Sequence, residues 1–496
     1  MRGRVVLTAD RTLMSGYRNH VFLGFGSCAP SNIIPDWLYR LLFFPSVESC
    51  KGVPVAAPYG LRKIEAALLL NGFNVVCVDP DYLSFYLRDA EVLGVYVMDP
   101  FGLGPASTTL ASFARGEPFL SRYFRFLMES KPVLEARKRG LKIIVGGPGV
   151  WQFKLRRRFI KRYGVDCIVE GEGEKVIGRL VQAALNGERL PEYYTVSGEE
   201  SPNLDEIPLI TAPSISGLVE VGRGCCRGCR FCSVTLKPLR WIPQDRILRE
   251  VEVNLKVNRS VTLHAEDVLL YGSSNTIPVE DKLIKLHEAL KSKKCEVGWS
   301  HCSLAAVAAK PGAFKKTAEI ILENQDWWGA EVGIETGSPR LAEKIMPTKA
   351  HPFKPGEWPN IVKEGLSLMH DNMLIPACTL IAGSPGEREE DVVKTIELVE
   401  DLKPYRFLIV PLYFVPLGSL KDENWFLNFK PDSVYQELFI KCLRHDLKWI
   451  GSIIDIAFKN SWHGKLAKTL YKLFVKLLEF NVLKTGVLNG KTLIPG

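Results

Sequence analysis

The chain has 496 residues, 46% hydrophobic content and a formal net charge of +9, which is ample for two or three globular domains with buried cores. Twelve cysteines over this length are too sparse for a disulfide scaffold, and no secretory signal pattern is evident, so we expect a cytoplasmic protein with reduced thiols. No run of about 18 uncharged apolar residues occurs, which argues against a membrane-spanning helix.

Residues 55–196 alternate strand-like and helix-like patterns, after an N-terminal extension that we assign to residues 1–54. The segment GLRKIEAALLLNG (60–72) predicts a helix that ends at glycine, and the apolar run FNVVCVDP after it predicts a buried strand. Similar pairs follow. Five short strands with interleaved helices predict an α/β, flavodoxin-like (Rossmann-type) domain with a parallel sheet.

A polar, proline-bearing stretch at residues 197–216 breaks this periodicity and predicts a linker. A second α/β series occupies residues 217–425, and its strands end in polar loops. This pattern predicts a partial or full (β/α) barrel whose strand carboxyl ends carry the chemistry. Residues 426–496 predict a helical C-terminal region.

The loop GRGCCRGCRFCSV (222–234) contains four cysteines, Cys225, Cys226, Cys229 and Cys232. Thiolates bind soft metals, and three of them on one loop can hold three irons of a [4Fe–4S] cube. A ferredoxin-like choice starting at Cys226 would require a further cysteine at position 236, where Leu236 stands. The other choice, which starts at Cys225 with C-x3-C-x2-C spacing, leaves one iron without a local protein ligand.

The stretch VEVGRGCCRGCRFCSV resembles the cluster loop of the radical S-adenosylmethionine (radical SAM) superfamily. The resemblance implies that Cys225, Cys229 and Cys232 hold the [4Fe–4S] cluster and that Cys226 is not a ligand. It also implies that S-adenosylmethionine (SAM) binds the fourth iron, beside Phe231, and is cleaved to a 5′-deoxyadenosyl radical. Three arginines of the loop could offset the negative charge of the cluster: Arg223, Arg227 and Arg230.

Later strand ends extend the resemblance to the binding of SAM. Glu266, in SVTLHAEDVLLYG, stands where many members place the acid that receives the amino group of SAM, although His264 and Ala265 replace the usual glycine pair. Glu335, in GAEVGIETGSPRLAEKI, matches the glutamate near the ribose of SAM. Gly383, in LIAGSPGE, matches the next family loop, where the following Gly386 and Glu387 are also typical of an ordinary turn and helix start.

The first α/β series resembles the cobalamin-binding domain that precedes many radical SAM domains, through APYGLRKIEAALLLNGFNVVCVDPD, IIVGGPGVW and DCIVEGEGEKVIGRLVQAAL. Such sheets bind ligands at the carboxyl ends of their strands, where glycine permits close approach. The D-x-H-x-x-G motif of cobalamin mutases is absent, so we expect cobalamin without a histidine ligand, with the loop at 98–105 at its lower face. The cobalamin-binding residues implied are Asp99, Phe101, Gly146, Gly147, Pro148, Gly149, Glu170 and Gly171.

Together these resemblances imply a cobalamin-dependent radical SAM enzyme that methylates an unactivated carbon. The deoxyadenosyl radical would abstract hydrogen, methylcobalamin would supply the methyl group, and a ferredoxin or flavodoxin would supply electrons. Ring formation, rearrangement and methylthio transfer by the same domain layout are alternatives, as is a cobalamin- or redox-sensing protein without turnover. No nucleic-acid-binding module is recognisable.

The substrate is suggested only by a basic amphipathic segment at residues 465–480, KLAKTLYKLFVKLLEF. Lysines at helical spacing beside apolar residues are typical of a helix on an anionic membrane surface, or of a helix docked on its own domain. The apolar segment at 32–45 could complement a membrane contact. A lipid or isoprenoid substrate follows from the first interpretation, and other small molecules remain open under the second.

Overall fold

The computed structural model describes residues 2–17, 21–32, 35–114, 116–420 and 432–458, together with 468–473, 475, 476 and 479. The chain divides into two units. The first comprises Met1–Val219 and Asp245–Val261, and the second comprises Glu220–Gln244 and Thr262–Gly496.

Strands and helices alternate along most of the described chain. The strands are β1 Arg2–Ala9, β2 Ser49–Cys50, β3 Val53–Pro54, β4 Phe73–Cys77, β5 Val92–Tyr96, β6 Lys142–Gly146, β7 Cys167–Glu170, β8 Tyr193–Thr195, β9 Leu218–Glu220, β10 Gly222–Arg223, β11 Arg240–Trp241, β12 Ser260–His264, β13 Glu296–Trp299, β14 Trp328–Glu335, β15 Leu374–Ala382 and β16 Leu408–Tyr413. The α-helices are α1 Asp36–Leu42, α2 Tyr59–Leu70, α3 Leu83–Tyr86, α4 Pro105–Ala114, α5 Phe119–Met128, α6 Lys131–Lys138, α7 Gln152–Leu155, α8 Arg158–Tyr163, α9 Ile177–Leu185, α10 Gln244–Asn254, α11 Glu280–Lys291, α12 Leu304–Ala309, α13 Pro311–Leu322, α14 Pro339–Ile345, α15 Trp358–Asp371, α16 Glu389–Asp401 and α17 Ser433–Ala457.

The first unit contains a parallel sheet with the strand order β4-β1-β5-β6-β7-β8. Successive residues of β1 face opposite sides of the sheet, so Val5 and Leu7 join one hydrophobic cluster and Val6 joins the other. Helical residues such as Leu61 and Phe124 complete the two clusters. The strand order changes direction between β1 and β5, as in doubly wound folds, and the predicted flavodoxin-like fold is confirmed.

Strand β1 lies inside the segment that the sequence predicts as an N-terminal extension. It pairs with β4 on one side and with β5 on the other, so the sheet starts with Arg2–Ala9 rather than after residue 55. Together with the edge strand β8, this gives six strands where the sequence predicts five. The long connection over residues 10–58 separates β1 from α2 and hides the strand–helix alternation that reveals the other strands.

The second α/β series forms two groups of strands, β13-β12-β9 and β14-β15-β16. A parallel bridge between His301 and Glu331 joins the two groups, and β14, β15 and β16 run parallel to one another. With helices α11, α13, α15 and α16 between successive strands, this is the predicted partial (β/α) barrel. Helix α17 occupies residues 433–457 of the predicted helical C-terminal region at 426–496.

The basic segment at residues 465–480 lies only partly within the described residues. Residues 468–473 are helical, and Lys468 and Lys472 form ion pairs of 2.5 and 2.7 Å with Asp455 of α17. Residues 465–467, 474, 477, 478 and 480 lie outside the described residues, as does His20. Within the described ranges, no helix is both long and apolar enough to cross a bilayer.

A buried ion pair ties the linker and α10 to the first unit. Lys63 of α2 lies 2.5 Å from Glu250 of α10 and also donates a hydrogen bond to the carbonyl of Pro208. Glu250 accepts further bonds from the Tyr59 hydroxyl and the Ile210 amide. Because of these contacts, α10 packs with the first unit, although its sequence position predicts a place in the barrel domain of residues 217–425.

Replacing Glu250 with alanine leaves the buried Lys63 without its counter-charge. We expect Glu250→Ala to lower the free energy of unfolding of the first unit by about 3–5 kcal/mol. Urea denaturation measures this, with Arg249→Ala, an exposed position on the same helix, as the control. The control should change stability by less than about 0.5 kcal/mol, and equal effects of the two variants would contradict the role of the pair.

Candidate active site

The four-cysteine loop follows β9 and is closed by a short antiparallel ribbon in which β10 pairs with β11. Gly224 has a φ of 80°, and a Cβ there would lie 2.3 Å from the carbonyl oxygen of Pro238. Only glycine permits this approach. The far end of the loop is held in a similar way, because a Cβ on Gly418 would lie 2.7 Å from the carbonyl oxygen of Cys232.

The cysteines of this loop are free thiols in different surroundings. Cys229 is buried, and the other three are half-buried. Cys226 donates its S–H to the carbonyl oxygen of Asn275 at 3.5 Å, whereas the Sγ of Cys225 accepts from the amide of Arg227 at 3.4 Å. Cys226 is therefore turned to the backbone, and its place outside the ligand set stays a prediction.

Burial keeps these thiols protonated when no metal is bound. It raises the pKa of Cys225 to about 12 and the pKa of Cys229 to about 11. Metal binding at such a site has to release the thiol protons. Among the described residues, no three His, Cys, Asp or Glu side chains converge on a single metal ion. An iron–sulfur cube makes a different demand, since each thiolate binds a separate iron at its own corner.

A buried ion pair anchors the cysteine loop. The guanidinium of Arg227 donates to Oδ2 of Asp267 at 3.1 and 3.2 Å and to the carbonyl oxygen of Lys349 at 2.9 Å, and the two paired side chains are each 4% exposed. Arg223 pairs with Glu220 at 2.8 Å. Carboxylates thus balance the charges of two of the three loop arginines. The third, Arg230, is exposed and has no carboxylate partner among the described residues.

The structure separates the two members of the predicted acidic pair. Asp267 is committed to Arg227 and also accepts from the hydroxyl of Ser303. Glu266 is half-buried, and its charge acts on Cys232, so it lies on the cysteine side of the strand end. Glu266 is therefore the acid that keeps its carboxylate open beside the cysteines, where the sequence predicts a SAM-binding residue.

Glu335, the residue predicted near the ribose of SAM, forms a buried ion pair with Lys349. It also accepts a hydrogen bond of 3.0 Å from the Thr379 hydroxyl. Glu335 raises the pKa of Lys349 although burial opposes the charge of the lysine. Lys349 also lies 5.9 Å from the ring centre of Phe231, so the pair stands next to the cysteine loop. The sequence analysis missed Lys349 because only the fold brings it to this loop.

Gly383, the last predicted SAM-binding residue, lies in a tight turn with a φ of 79°. Its amide donates to Glu387, which also accepts from the amide of Ser384 and from the hydroxyl of Tyr435. Burial raises the pKa of Glu387 to about 7. These contacts give Glu387 a structural role in the turn, as an ordinary helix-start carboxylate would have.

The residues predicted to bind cobalamin lie after β5, β6 and β7, at the carboxyl edge of the sheet. Asp99 is buried and accepts hydrogen bonds from the amide of Gly104 and the side chain of Gln152. Phe101 packs against Phe153 with ring centres 4.9 Å apart. Both side chains therefore shape their own loop.

The glycines of this edge are required by the packing of neighbouring loops. A Cβ on Gly147 would lie 2.4 Å from the carbonyl oxygen of Val97, and one on Gly149 would lie 2.2 Å from that of Met98. Gly146 ends β6, and Pro148 is exposed between the close-packed glycines. Glu170 pairs with Lys154 at 2.6 Å, and Gly171 has a φ of 118°. All eight predicted residues thus lie at the carboxyl edge of the sheet. That they bind cobalamin stays a prediction.

The first unit also contains a cavity of about 420 Å³ that the sequence does not reveal. The residues that line it are Gly16, Pro45, Ser46, Val47, Glu48, Val55, Ala56, Ile215, Ser216, Val257 and Asn258. Seven of these belong to the connection from β1 to α2, which starts at the carboxyl end of β1. Doubly wound sheets bind ligands at the carboxyl edge of the sheet.

Three further polar residues stand together in the second unit: His264, His301 and Glu331. Nε2 of His301 lies 3.3 Å from Oε2 of Glu331, and the rings of His264 and His301 are 6.0 Å apart. The sequence analysis noted His264 only as a replacement for glycine and missed the other two. No spacing motif links the three, because they come from different strands.

Several known proteins are similar to this chain. Residues 219–399 match the family model of the radical SAM superfamily. A tRNA-2-methylthio-N(6)-dimethylallyladenosine synthase of Thermotoga petrophila is 27% identical over 306 residues, which cover 60% of this chain and 64% of the relative. An uncharacterized methyltransferase of Pyrococcus horikoshii is 23% identical over 293 residues, which cover 52% of this chain and 58% of the relative. The chain thus spans less than two thirds of the length of these relatives.

A solved structure extends the likeness to both units. It is that of TsrM, a radical S-adenosylmethionine methyltransferase from Kitasatospora setae, with cobalamin and a [4Fe–4S] cluster bound. The TM-score is 0.54 at 14% identity, and the match covers 85% of this chain and 77% of that chain. At this identity the likeness concerns the fold.

The different roles of Glu266 and Asp267 lead to a stability test. Asp267→Ala leaves the buried Arg227 unpaired, and we expect it to lower the free energy of unfolding by about 3–5 kcal/mol. Glu266→Ala removes an open carboxylate and should cost less than about 1 kcal/mol. Urea denaturation of the two variants checks the difference, and a larger effect of Glu266→Ala would contradict the assignment.

Proposed function

We propose that this chain, which carries a radical SAM domain over residues 219–399, is a cobalamin-dependent radical SAM enzyme that methylates a carbon atom of a small-molecule substrate. The observation that carries the proposal is a loop of four clustered free thiols in which Cys226 is bonded to a backbone carbonyl, which would leave the other three for one cluster. Such a cluster retains one iron for SAM, and the same chain contains the doubly wound sheet of cobalamin-binding proteins.

The donor set fits the cluster. Cys225, Cys229 and Cys232 would hold it, Glu266 would receive the amino group of SAM, and Lys349 would place a positive charge beside Cys229. When bound, the cluster and SAM would supply the 5′-deoxyadenosyl radical that abstracts hydrogen from carbon, and cobalamin would supply the methyl group. The chain itself contributes the positioning of these groups and the exclusion of water from the reacting atoms.

The first unit fits cobalamin. The predicted loops lie at the carboxyl ends of β5, β6 and β7, and the cavity of about 420 Å³ is lined mainly by the connection that starts at the carboxyl end of β1. The cavity walls are mostly small or apolar side chains, which suits a flat heterocycle such as the base of a corrinoid tail. We propose that residues 98–105, 146–149 and 170–171 contact the rest of cobalamin without a histidine ligand.

Methylthio transfer is the second candidate, because the tRNA-modifying relatives are named for it. That chemistry uses a second cluster held by three cysteines in the N-terminal domain. In the described first unit, Cys77 and Cys167 lie on β4 and β7, which are four strand spacings or about 19 Å apart. Cys28 and Cys50 are also far from these two and from each other in the sequence, so the spacing is unlike that of the cysteine loop at residues 225–232. Methyl transfer is therefore favoured.

A lipid or isoprenoid substrate depends on the basic segment at residues 465–480. Its described lysines Lys468 and Lys472 both pair with Asp455, which favours a helix docked on its own domain. We therefore propose a small-molecule substrate, with a ferredoxin or flavodoxin as the electron donor.

The ligand set is tested by single replacements of the four loop cysteines. After anaerobic reconstitution, Cys226→Ala should retain the iron content and visible spectrum of the wild type. Cys225→Ala, Cys229→Ala and Cys232→Ala should each lose most cluster iron, because an Fe–S bond is removed. A loss of iron in Cys226→Ala together with retention in Cys225→Ala would contradict the ligand assignment.

The reaction is tested with the chain reconstituted with iron, sulfide and hydroxocobalamin, and supplied with trideuteromethyl SAM and cell extract. Mass spectrometry should show 5′-deoxyadenosine and a trideuteromethylated product. Glu266→Gln should raise the Kd for SAM by about tenfold, since it removes a charge-assisted hydrogen bond. Absence of bound corrinoid would overturn the methyltransferase proposal, and absence of deoxyadenosine would support a sensing protein instead.

A further inference from the structure

The barrel strands of the second unit present one face to the helices and the other to the barrel interior. On β12, Leu263 is fully buried while His264 is partly exposed, and on β14 Val332 is buried while Glu331 is partly exposed. Residues that alternate along a strand face opposite sides. His264 and Glu331 therefore face the interior, together with His301, which lies two residues after the end of β13 and pairs with Glu331.

The His301–Glu331 pair is held in place by the backbone but is open to solvent. The amide of Glu331 donates to the carbonyl oxygen of Ser300 at 2.8 Å, and Nδ1 of His301 lies 3.0 Å from the Ser300 hydroxyl. The two paired side chains are 36% and 33% exposed, against 4% for each partner in the Arg227–Asp267 pair. Such exposure inside a barrel marks a surface that a ligand can reach.

The ionisation of the two histidines differs. Burial lowers the pKa of His264 to about 3, so its ring is neutral. Burial also opposes the charge of His301, but Glu331, Glu266 and Asp267 together outweigh it and raise the pKa of His301 to about 9. The interior therefore holds a neutral imidazole beside an imidazolium–carboxylate pair.

The donors and acceptors that remain unpaired determine which ligands the site can bind. Both nitrogens of His301 are used, by Ser300 and by Glu331. Within the described chain, Oε1 of Glu331 has no partner, and Nδ1 of His264 is buried without one. A carboxylate ligand would meet the charges of Glu331 and Glu266 and gain no free N–H from His301. With the amino group of SAM on Glu266, as proposed above, a further ammonium ligand would meet the positive charges of His301 and of SAM.

We propose that His264, His301 and Glu331 form the substrate-recognition site, and that it takes a neutral group with a hydrogen-bond donor and an acceptor on one edge, such as a lactam, amide or azole. The donor would bind Glu331 and the acceptor would bind His264. This inference rests on the proposed function, because it assigns the substrate class of that same barrel.

Isothermal titration calorimetry of the reconstituted full chain, saturated with SAM so that Glu266 is occupied, tests the proposal with three ring-shaped probes. These are 2-pyridone, which is neutral with a donor and an acceptor on one edge, benzoate, which is anionic, and benzylamine, which is cationic. We expect 2-pyridone to bind at least about tenfold more tightly than either ion. Failure of 2-pyridone to bind, or equal binding of an ion, would overturn the proposal.

Two variants assign the binding to these residues. Glu331→Gln and His264→Phe keep the side-chain shape and should each weaken 2-pyridone binding by about tenfold. Glu288→Gln, at an exposed position on α11, is the control and should bind as the wild type does. Unchanged affinity in both test variants would overturn the site. Binding is measured without turnover, so the two proposals fail separately. Loss of 2-pyridone binding with intact release of deoxyadenosine would contradict this site. Intact 2-pyridone binding without release of deoxyadenosine would contradict the proposed function.

Discussion

The buried pair of Arg227 and Asp267 is the contact on which the candidate site depends. Arg227 stands between the cysteines of the loop, and its guanidinium reaches the end of β12 and the backbone at Lys349. Because both side chains are almost fully excluded from water, removing either charge leaves the other buried and unpaired. The pair therefore fixes the loop so that Cys226 turns to a carbonyl and the remaining thiols can share one cluster.

The carboxylates of the barrel interior have two kinds of role, one structural and one chemical. Asp267 and Glu335 form ion pairs with two buried cations, Arg227 and Lys349. These pairs hold the cysteine loop and its surroundings. Glu266 and Glu331 are at least partly open to the interior, where a cofactor or substrate can reach them. Two carboxylates of each kind, one of each after β12 and one of each on β14, allow a rigid wall and an adaptable binding surface to coexist.

The sequence predicts those features that depend on local patterns. The cysteine spacing, the strand–helix alternation and the carboxyl-edge glycines all lie within short segments, and Gly147 shows why glycine is needed there. Contacts between distant segments could not be predicted. Asp267 and Glu266 are adjacent and chemically alike, and only the fold shows that Asp267 meets Arg227, 40 residues away. Strand β1 was missed for a related reason, since its partners β4 and β5 lie far along the chain.

The central claim is that three cysteines hold a cluster with one iron left for SAM. Electron–nuclear double resonance of the reduced, reconstituted full chain with SAM labelled by ¹⁵N at its amino group tests it most directly. The account predicts hyperfine coupling between the ¹⁵N nucleus and the cluster, unchanged in Cys226→Ala. A cluster with four cysteine ligands and no ¹⁵N coupling would contradict it.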